Sequence, residues 1–346
     1  MDIYHEKASL KAQGKIAVGN STVNSTNIII ATGSCPKSIP LMHGHDVLTT
    51  DTIFDLTDLP RSLSIVGGGV IGMEMAHIFS SMDVKVTVIE ALDRILPLED
   101  RHVSEYMLKI YRKIDFLTSA RITGMEGSAP CRLCVETPSG QTVLEPEKVL
   151  VCIGRQPVIP PGTELLGIEM RPSGGIRVDE FMQTSVRGLY AVGDVTGEHM
   201  YAYVASREAA IAVGHLTGGS MEMSYRNIPS IIFTSPEVAS VGSRAEGDSG
   251  ESSSRTGSFP VSALGRARTM EANDGYARIT ASSDGSLERV SIISPHATEL
   301  IPWLTLALDQ GLTAEGFTES FCPHPVLAEL LKEAAEDILG MSVHKS

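Results

Sequence analysis

The sequence predicts an α/β fold with one glycine-rich βαβ unit in mid-chain and a separate α+β domain at the C-terminal end. Three observations carry this prediction. Residues 64–90, SIVGGGVIGMEMAHIFSSMDVKVTVIE, read as strand, glycine turn, helix and strand. Residues 175–218 hold a second buried strand that ends in Gly193-Asp194 and leads into an Ala- and Val-rich helix. From Tyr225 onward, short strands of an antiparallel sheet alternate with turns before two further helices.

Within the first stretch each position has a mechanical reason. An apolar run at 63–66 leads into Gly67, Gly68 and Gly69, and Gly72 completes G-x-G-x-x-G before helical spacing runs through 70–80. Gly67 permits the tight turn, Gly69 lets a diphosphate approach the backbone, and Gly72 lets the helix pack closely on the sheet. The N–H groups of the first turn, at Val70 and Ile71, add a partial positive charge that attracts phosphate. Glu90 closes the second strand about 20 residues past the glycines, where a carboxylate accepts the adenosine ribose hydroxyls. That carboxylate repels a 2′-phosphate, so the spacing predicts NAD rather than NADP. Glu74, in the first helical turn, either complements the helix dipole or lies beside the cofactor.

Size and composition narrow the function classes. A chain of 346 residues suits two or three domains, and 42% apolar with 20% charged residues fits a well-packed globular protein. The net charge of −14 argues against nucleic acid, whose phosphates need a basic surface. Five cysteines, an odd number without framework spacing, point to a reducing compartment. The N-terminal MDIYHEKASLKAQGK lacks the apolar core of a signal peptide, and no apolar run reaches the length of a membrane span. The expectation is a cytoplasmic protein without a membrane partner.

In chain order, residues 1–30 read as hairpin strands ending in Ile28-Ile29-Ile30. Ala31-Thr32-Gly33-Ser34 follows, either a simple strand-end turn or a place where small residues let a ligand approach. Pro60 marks a boundary, and the dinucleotide unit runs from 61 to about 154, with an amphipathic helix after Glu90, a meander over 122–144 and a strand at 149–153. Cys131 and Cys134 form C-R-L-C without a second pair or a helix start, which argues against metal or redox chemistry. Asp194 sits where α/β sheets make ligand contacts, or else is an N-cap; the helix that follows is expected over 200–216. In the last domain strands are expected at 230–233, 238–241, 275–280 and 287–293, and helices at 299–308 and 326–339. Residues 242–258, rich in Ser and Gly, read as a surface loop. His324-Pro325 precedes the final helix, which carries Glu329; that histidine is either structural or a base held by the acid.

The same pieces in the same order resemble the flavin-dependent pyridine nucleotide–disulfide oxidoreductases. The resemblance rests on ATGS at 31–34, GGGVIGME at 67–74, GRQP at 154–157, GLYAVGDV at 188–195, IIFTSPEVASVG at 231–242 and HPVLAE at 324–329. It covers essentially the whole chain and looks most like the lipoamide-directed branch; glutathione- and mercury-directed branches are runners-up in substrate. It implies a Rossmann-like NAD domain (61–155) inserted in a partial FAD domain of three-layer β/β/α type (1–60 and 156–224), and an α+β dimerisation domain (225–346).

By that resemblance FAD is contacted by Ala8, by Thr32, Gly33 and Ser34, by Asp194 on the ribityl chain, and by Met200, Tyr201, Ala202 and Tyr203 at the start of the helix aimed at the flavin ring. Gly154 lies beside the nicotinamide nucleotide. His324 takes a proton from a dithiol substrate in the active site of the other subunit of a homodimer, with Glu329 orienting its imidazole. A 2-oxo acid dehydrogenase complex is a further implied partner. Departures accompany the matches: Cys322 stands where a second histidine is usual, Val326 for threonine and Tyr203 for histidine. The family's first glycine fingerprint and its C-x-x-x-x-C disulfide, which precede these motifs, have no counterpart in the 346 residues. The sequence therefore leads one to expect an N-terminally truncated chain, inactive alone, whose flavin-domain segments lack a core. The second function class is a non-catalytic NAD-binding and dimerising module that assembles with a separately encoded part.

Overall fold

A computed structural model describes residues 1–127, 130–243 and 254–344, in two units. The first comprises 1–37 and 154–225 and the second 38–153 and 226–346.

In the first unit, Ile28–Ile30 and Leu189–Ala191 form a parallel pair, with Leu189 opposite Ile28 and Ala191 opposite Ile30. A three-stranded antiparallel sheet (Ala8–Ala12, Lys15–Val18, Ser21–Asn24) precedes them, and Ser34–Pro36 pairs antiparallel with Arg155–Pro157. The helix Ala202–Leu216 starts two residues later than the sequence predicts, leaving Met200 and Tyr201 in the entering loop. These segments are not without a core. Leu10, Ile28, Ile30, Ile176 and Leu189 belong to one buried cluster, and Met182, Tyr190, Val192 and Ile211 to another. Of the run at 28–30, Ile28 and Ile30 point into the first cluster, while Ile29 points to the opposite, exposed face.

The second unit is built on a five-stranded parallel sheet in the order Leu48–Thr49, Lys148–Val151, Ser62–Val66, Lys85–Ile89, Asp115–Leu117. Residues 38–60 thus belong with the dinucleotide fold, because Leu48 and Thr49 pair with Leu150 and Val151 at its edge. The division expected at Pro60 lies instead after Lys37. A two-residue strand has no periodicity to read, which is why the sequence placed it elsewhere. The meander appears as Arg121–Glu126, Arg132–Thr137 and Gly140–Leu144.

The C-terminal part carries a five-stranded antiparallel sheet in the order Ser230–Ile232, Glu237–Gly242, Leu287–Ser294, Tyr276–Ala281, Arg255–Pro260, with the helices Ala297–Asp309 and Glu329–Ile338. The loop reading over 242–258 is corrected at its end: Arg255–Pro260 is a strand whose Phe259 is fully buried. Residues 244–253 of that expected loop lie outside the described residues. This sheet shares a core with the dinucleotide fold. Met73, Ile95, Val103 and Met107 pack with Ile232, Val238 and Ile293. Beside them lies a buried polar bolt: Glu99 accepts Ser230 Oγ at 2.9 Å and Ser240 Oγ at 2.7 Å, while Arg289 Nε donates to both oxygens of Asp100. No helix among the described residues is long and apolar enough to cross a membrane.

Candidate functional site

The glycine turn lies at the C-terminal ends of the central parallel strands, between Ser62–Val66 and the helix Val70–Ser81. Gly67 has φ +106°, and a Cβ there would strike the Cys152 carbonyl, so both its conformation and its neighbour demand glycine. A Cβ on Gly72 would overlap the Gly67 carbonyl oxygen; the missing side chain lets the helix start directly over the turn. Gly68 is confined too, since its Cβ would come within 3.0 Å of Ile95 Cγ2 and 3.2 Å of Glu90 Cβ. Gly69 differs: a Cβ there meets nothing of the protein within 4 Å. Its glycine is not required by packing, and the open volume beside it is bordered by the first helical turn. There Met73 N–H donates to Gly69 O at 2.9 Å, so Val70, Ile71 and Gly72 precede the first intrahelical bond. The residues present therefore fit a diphosphate: an open cradle beside Gly69 and a helix start with amide N–H groups.

Glu90 is buried and tied to the same turn. Gly68 N–H donates to its Oε2 at 2.7 Å and Leu92 N–H to its Oε1 at 2.8 Å. Each carboxylate oxygen has a second lone pair, so the acid can fix the loop and still accept a hydroxyl. Glu74 has a further contact that neither sequence reading named. Its Oε1 accepts Phe233 N–H at 2.9 Å, which joins the fingerprint helix to the C-terminal sheet segment. Burial pushes its carboxyl above the ordinary range, against the opposing pull of that hydrogen bond.

In the first unit, the ATG turn and Gly193-Asp194 are directly linked. Ser34 Oγ donates to Asp194 Oδ2 at 2.5 Å, and Arg155 donates to Ser34 through Nε to Oγ at 2.7 Å and through Nη2 to the carbonyl at 2.8 Å. Thr32 Oγ1 bonds the Val158 carbonyl. Gly33 has φ +72° with nothing within 4 Å of a would-be Cβ, again an open side on which a ligand can approach the backbone. Gly154, at φ +100°, opens the strand that pairs with Ser34–Pro36, and Ala8 begins the first hairpin opposite Val18. Tyr201 and Tyr203 stack at 5.2 Å before and within the first turn of their helix, and Met200 and Ala202 flank Tyr201.

Glu208 supports this turn and was not singled out from the sequence. Fully buried on the helix, it accepts Gly193 N–H at 2.5 Å and the Tyr225 hydroxyl at 2.7 Å. Burial raises its carboxyl above the usual range. Nothing singles it out beforehand, because the helix also carries the polar residues Ser206, Arg207 and His215.

His324 and Glu329 do meet. His324 Nδ1 lies 2.8 Å from Glu329 Oε1, and Glu329 Oε2 accepts Val326 N–H at 2.9 Å. The acid is thus fixed by the backbone while the imidazole side chain is 74% exposed. The five cysteines are all free thiols. Cys131 is buried just ahead of the strand that carries Cys134, and burial raises its thiol; burial pushes Cys152 up to about 12. No group of His, Cys, Asp and Glu among the described residues is arranged to hold a metal ion.

Comparison with known proteins agrees with this geometry. Residues 1–209 match the family model of the pyridine nucleotide-disulphide oxidoreductases, and residues 228–335 match the dimerisation domain of the same family. A dihydrolipoyl dehydrogenase of Chlamydia pneumoniae is 37% identical over 326 residues, 92% of this chain and 70% of its own length. One from Bacillus subtilis is 37% identical over 339 residues, 94% of this chain and 71% of its own. Among solved structures, the HOCl-induced flavoprotein disulfide reductase RclA from Escherichia coli, as a Cu(II) complex, superposes with a TM-score of 0.88 at 25% identity, over 96% of this chain and 78% of that one. LpdA from Mycobacterium tuberculosis gives 0.84 at 27% identity, over 95% and 75%. The family's enzymes use FAD and NAD, and its second domain pairs two subunits. With its glycine cradle, its Ser34–Asp194 link and its matching dimerisation domain, the chain belongs to the pyridine nucleotide-disulphide oxidoreductases.

Proposed function

We propose that this chain serves dithiol–disulfide exchange of the dihydrolipoamide dehydrogenase type in the cytoplasm, as a homodimer and within a 2-oxo acid dehydrogenase complex. In that reaction a dithiol becomes a disulfide; two electrons and one proton pass as hydride to NAD, and the second proton is released. Bound FAD supplies the electron transfer between a disulfide and NAD. The observation that carries the reading is the His324–Glu329 pair. With Nδ1–H donated to the carboxylate, Nε2 keeps its lone pair and faces outward as a base for a thiol proton. An exposed base suits a site completed by the partner subunit.

NAD is held, on this reading, by Gly67, Gly68, Gly69, Val70, Ile71, Gly72 and Glu90, with Gly154 beside the nicotinamide and Glu74 positioning the helix. FAD contacts fall to Ala8, Thr32, Gly33, Ser34, Asp194 and the 200–203 segment. The 346 residues contain no cysteine pair at C-x-x-x-x-C spacing. The same observation favours a second reading, an NAD-binding and dimerising module acting with a separately encoded part.

The test is the absorbance spectrum of the purified chain together with a dihydrolipoamide–NAD assay. NADH binding without turnover by the 346 residues alone, and turnover once a disulfide-bearing N-terminal segment is added, supports the first reading. Turnover by the chain alone contradicts the placement of the disulfide. Binding without turnover in either condition, with a stable complex between the two parts, supports the second reading.

A further inference from the structure

A cavity of about 420 Å³ opens within the second unit between the helix Arg101–Ile110 and the strands Arg255–Pro260 and Tyr276–Ala281. The helix gives it His102, Glu105, Tyr106 and Lys109, spaced along one face, and the sheet gives Tyr276 and Arg278. None of these residues has a part in the proposed reaction.

Three features of the cleft point to an absent partner. The first is the Tyr276 hydroxyl, buried and without a hydrogen-bond partner among the described residues. An orphaned buried hydroxyl costs free energy, and native proteins avoid it unless something else fills the role. The second is Arg278. Half-buried, its guanidinium has one side-chain hydrogen bond, to His102 Nδ1 at 3.5 Å, and no carboxylate within ion-pair distance among the described residues. Lys109 adds a second cation to the lining beside the carboxylate of Glu105, while the neighbouring Asp100 carboxylate is already paired with Arg289. The third is the wall itself. Tyr106 and Tyr276 meet edge to face at 5.3 Å, and the His102 ring tilts over Tyr276 at 5.7 Å. Gly275 N–H donates to the Tyr106 hydroxyl oxygen at 2.5 Å, which fixes that ring and leaves its own O–H proton to give.

We propose that this cleft binds a compact aromatic anion, a planar ring bearing a phosphate or carboxylate. The ring packs on Tyr106 and Tyr276, the anionic group meets Arg278 and Lys109, and the Tyr276 O–H donates to it. The volume lies within the range of small-molecule sites. Because it bridges the dinucleotide fold and the C-terminal sheet, such a ligand fastens one to the other.

Phenyl phosphate is the probe, since it lacks the adenosine that the glycine site recognises. Calorimetry on the whole chain, with and without saturating NADH, is compared with inorganic phosphate and with benzyl alcohol. The expected result is one phenyl phosphate site, unaffected by NADH, with either half-ligand binding at least about tenfold more weakly, or about 1.4 kcal/mol. Arg278→Gln should weaken the probe at least about tenfold. Tyr276→Phe should weaken it as well while leaving the free protein's Tm unchanged or higher, because it removes an unsatisfied group; a merely structural hydroxyl would lower Tm. Benzoate binding in place of phenyl phosphate supports the site and identifies the anion as a carboxylate. Failure of both probes to bind, or binding that survives Arg278→Gln undiminished, overturns the assignment.

Discussion

Glu90 and Gly68 are held together by a 2.7 Å hydrogen bond from the glycine N–H to the carboxylate, across 22 positions of sequence. The acid at the end of one strand thereby sets the shape of the turn at the end of its neighbour, and Leu92 N–H occupies its other oxygen. Glu90→Gln leaves one of these two N–H donors facing an amide NH₂. Hydrogen bonds to a buried charge contribute about 1.5–3 kcal/mol, so NADH affinity should fall about tenfold to a hundredfold and Tm should drop. Titration calorimetry and a thermal melt read the two effects.

Gly69 and Gly72 should separate binding from folding. Gly69→Ala places its methyl in open space at an ordinary φ of −75°, so stability should stay within about 0.5 kcal/mol of the parent while NADH binding weakens. Gly72→Ala drives its methyl into the Gly67 carbonyl and should cost about 1–3 kcal/mol of stability. Urea unfolding of both variants, followed by NADH titration of each, measures the split.

The pH dependence of stability should carry the mark of Glu208. Burial raises its folded-state pKa above 4.5, so the native state binds more protons than the unfolded one across that interval. Stability contributed by the protonated form is present below the unfolded value and is lost as pH rises through the folded one. Glu208→Gln keeps an acceptor for Gly193 N–H and abolishes this titration, so unfolding curves should show a smaller decline with rising pH than the parent. Glu74, raised for the same reason, leaves a residual decline in the variant.

At the C-terminal end, the carboxylate should fix the imidazole tautomer. With Glu329 Oε1 at 2.8 Å, neutral His324 carries its proton on Nδ1. Nitrogen-15 NMR of the ring should show that form in the parent protein. Glu329→Ala should shift the ring toward Nε2–H, the form favoured by a free histidine side chain.

Much of this was legible beforehand, and the limits have physical causes. The βαβ unit announced itself because glycines at 67, 69 and 72 and an acid at 90 are local signals at fixed spacing. The His324–Glu329 pair could be read because its members are only five positions apart. By contrast, Ser34 bonds Arg155 and Asp194 across more than a hundred residues; the resemblance set Ser34 and Asp194 on one ligand, but no local spacing signals their direct contact or the part of Arg155. The contact of Glu74 with Phe233 could not be read either, because a backbone N–H donor leaves no side-chain signature. The edge strand at 48–49 was too short for alternation, which moved the domain boundary by more than twenty residues.

The central claim is that the Gly67–Gly72 turn and Glu90 together hold NAD and reject NADP. Calorimetric titration of the unmodified protein with NADH and, separately, with NADPH tests it most directly. The account predicts one NADH site per chain and NADPH at least about tenfold weaker, because a 2′-phosphate meets the Glu90 carboxylate. Equal affinity for the two coenzymes, or no heat with either, would contradict it.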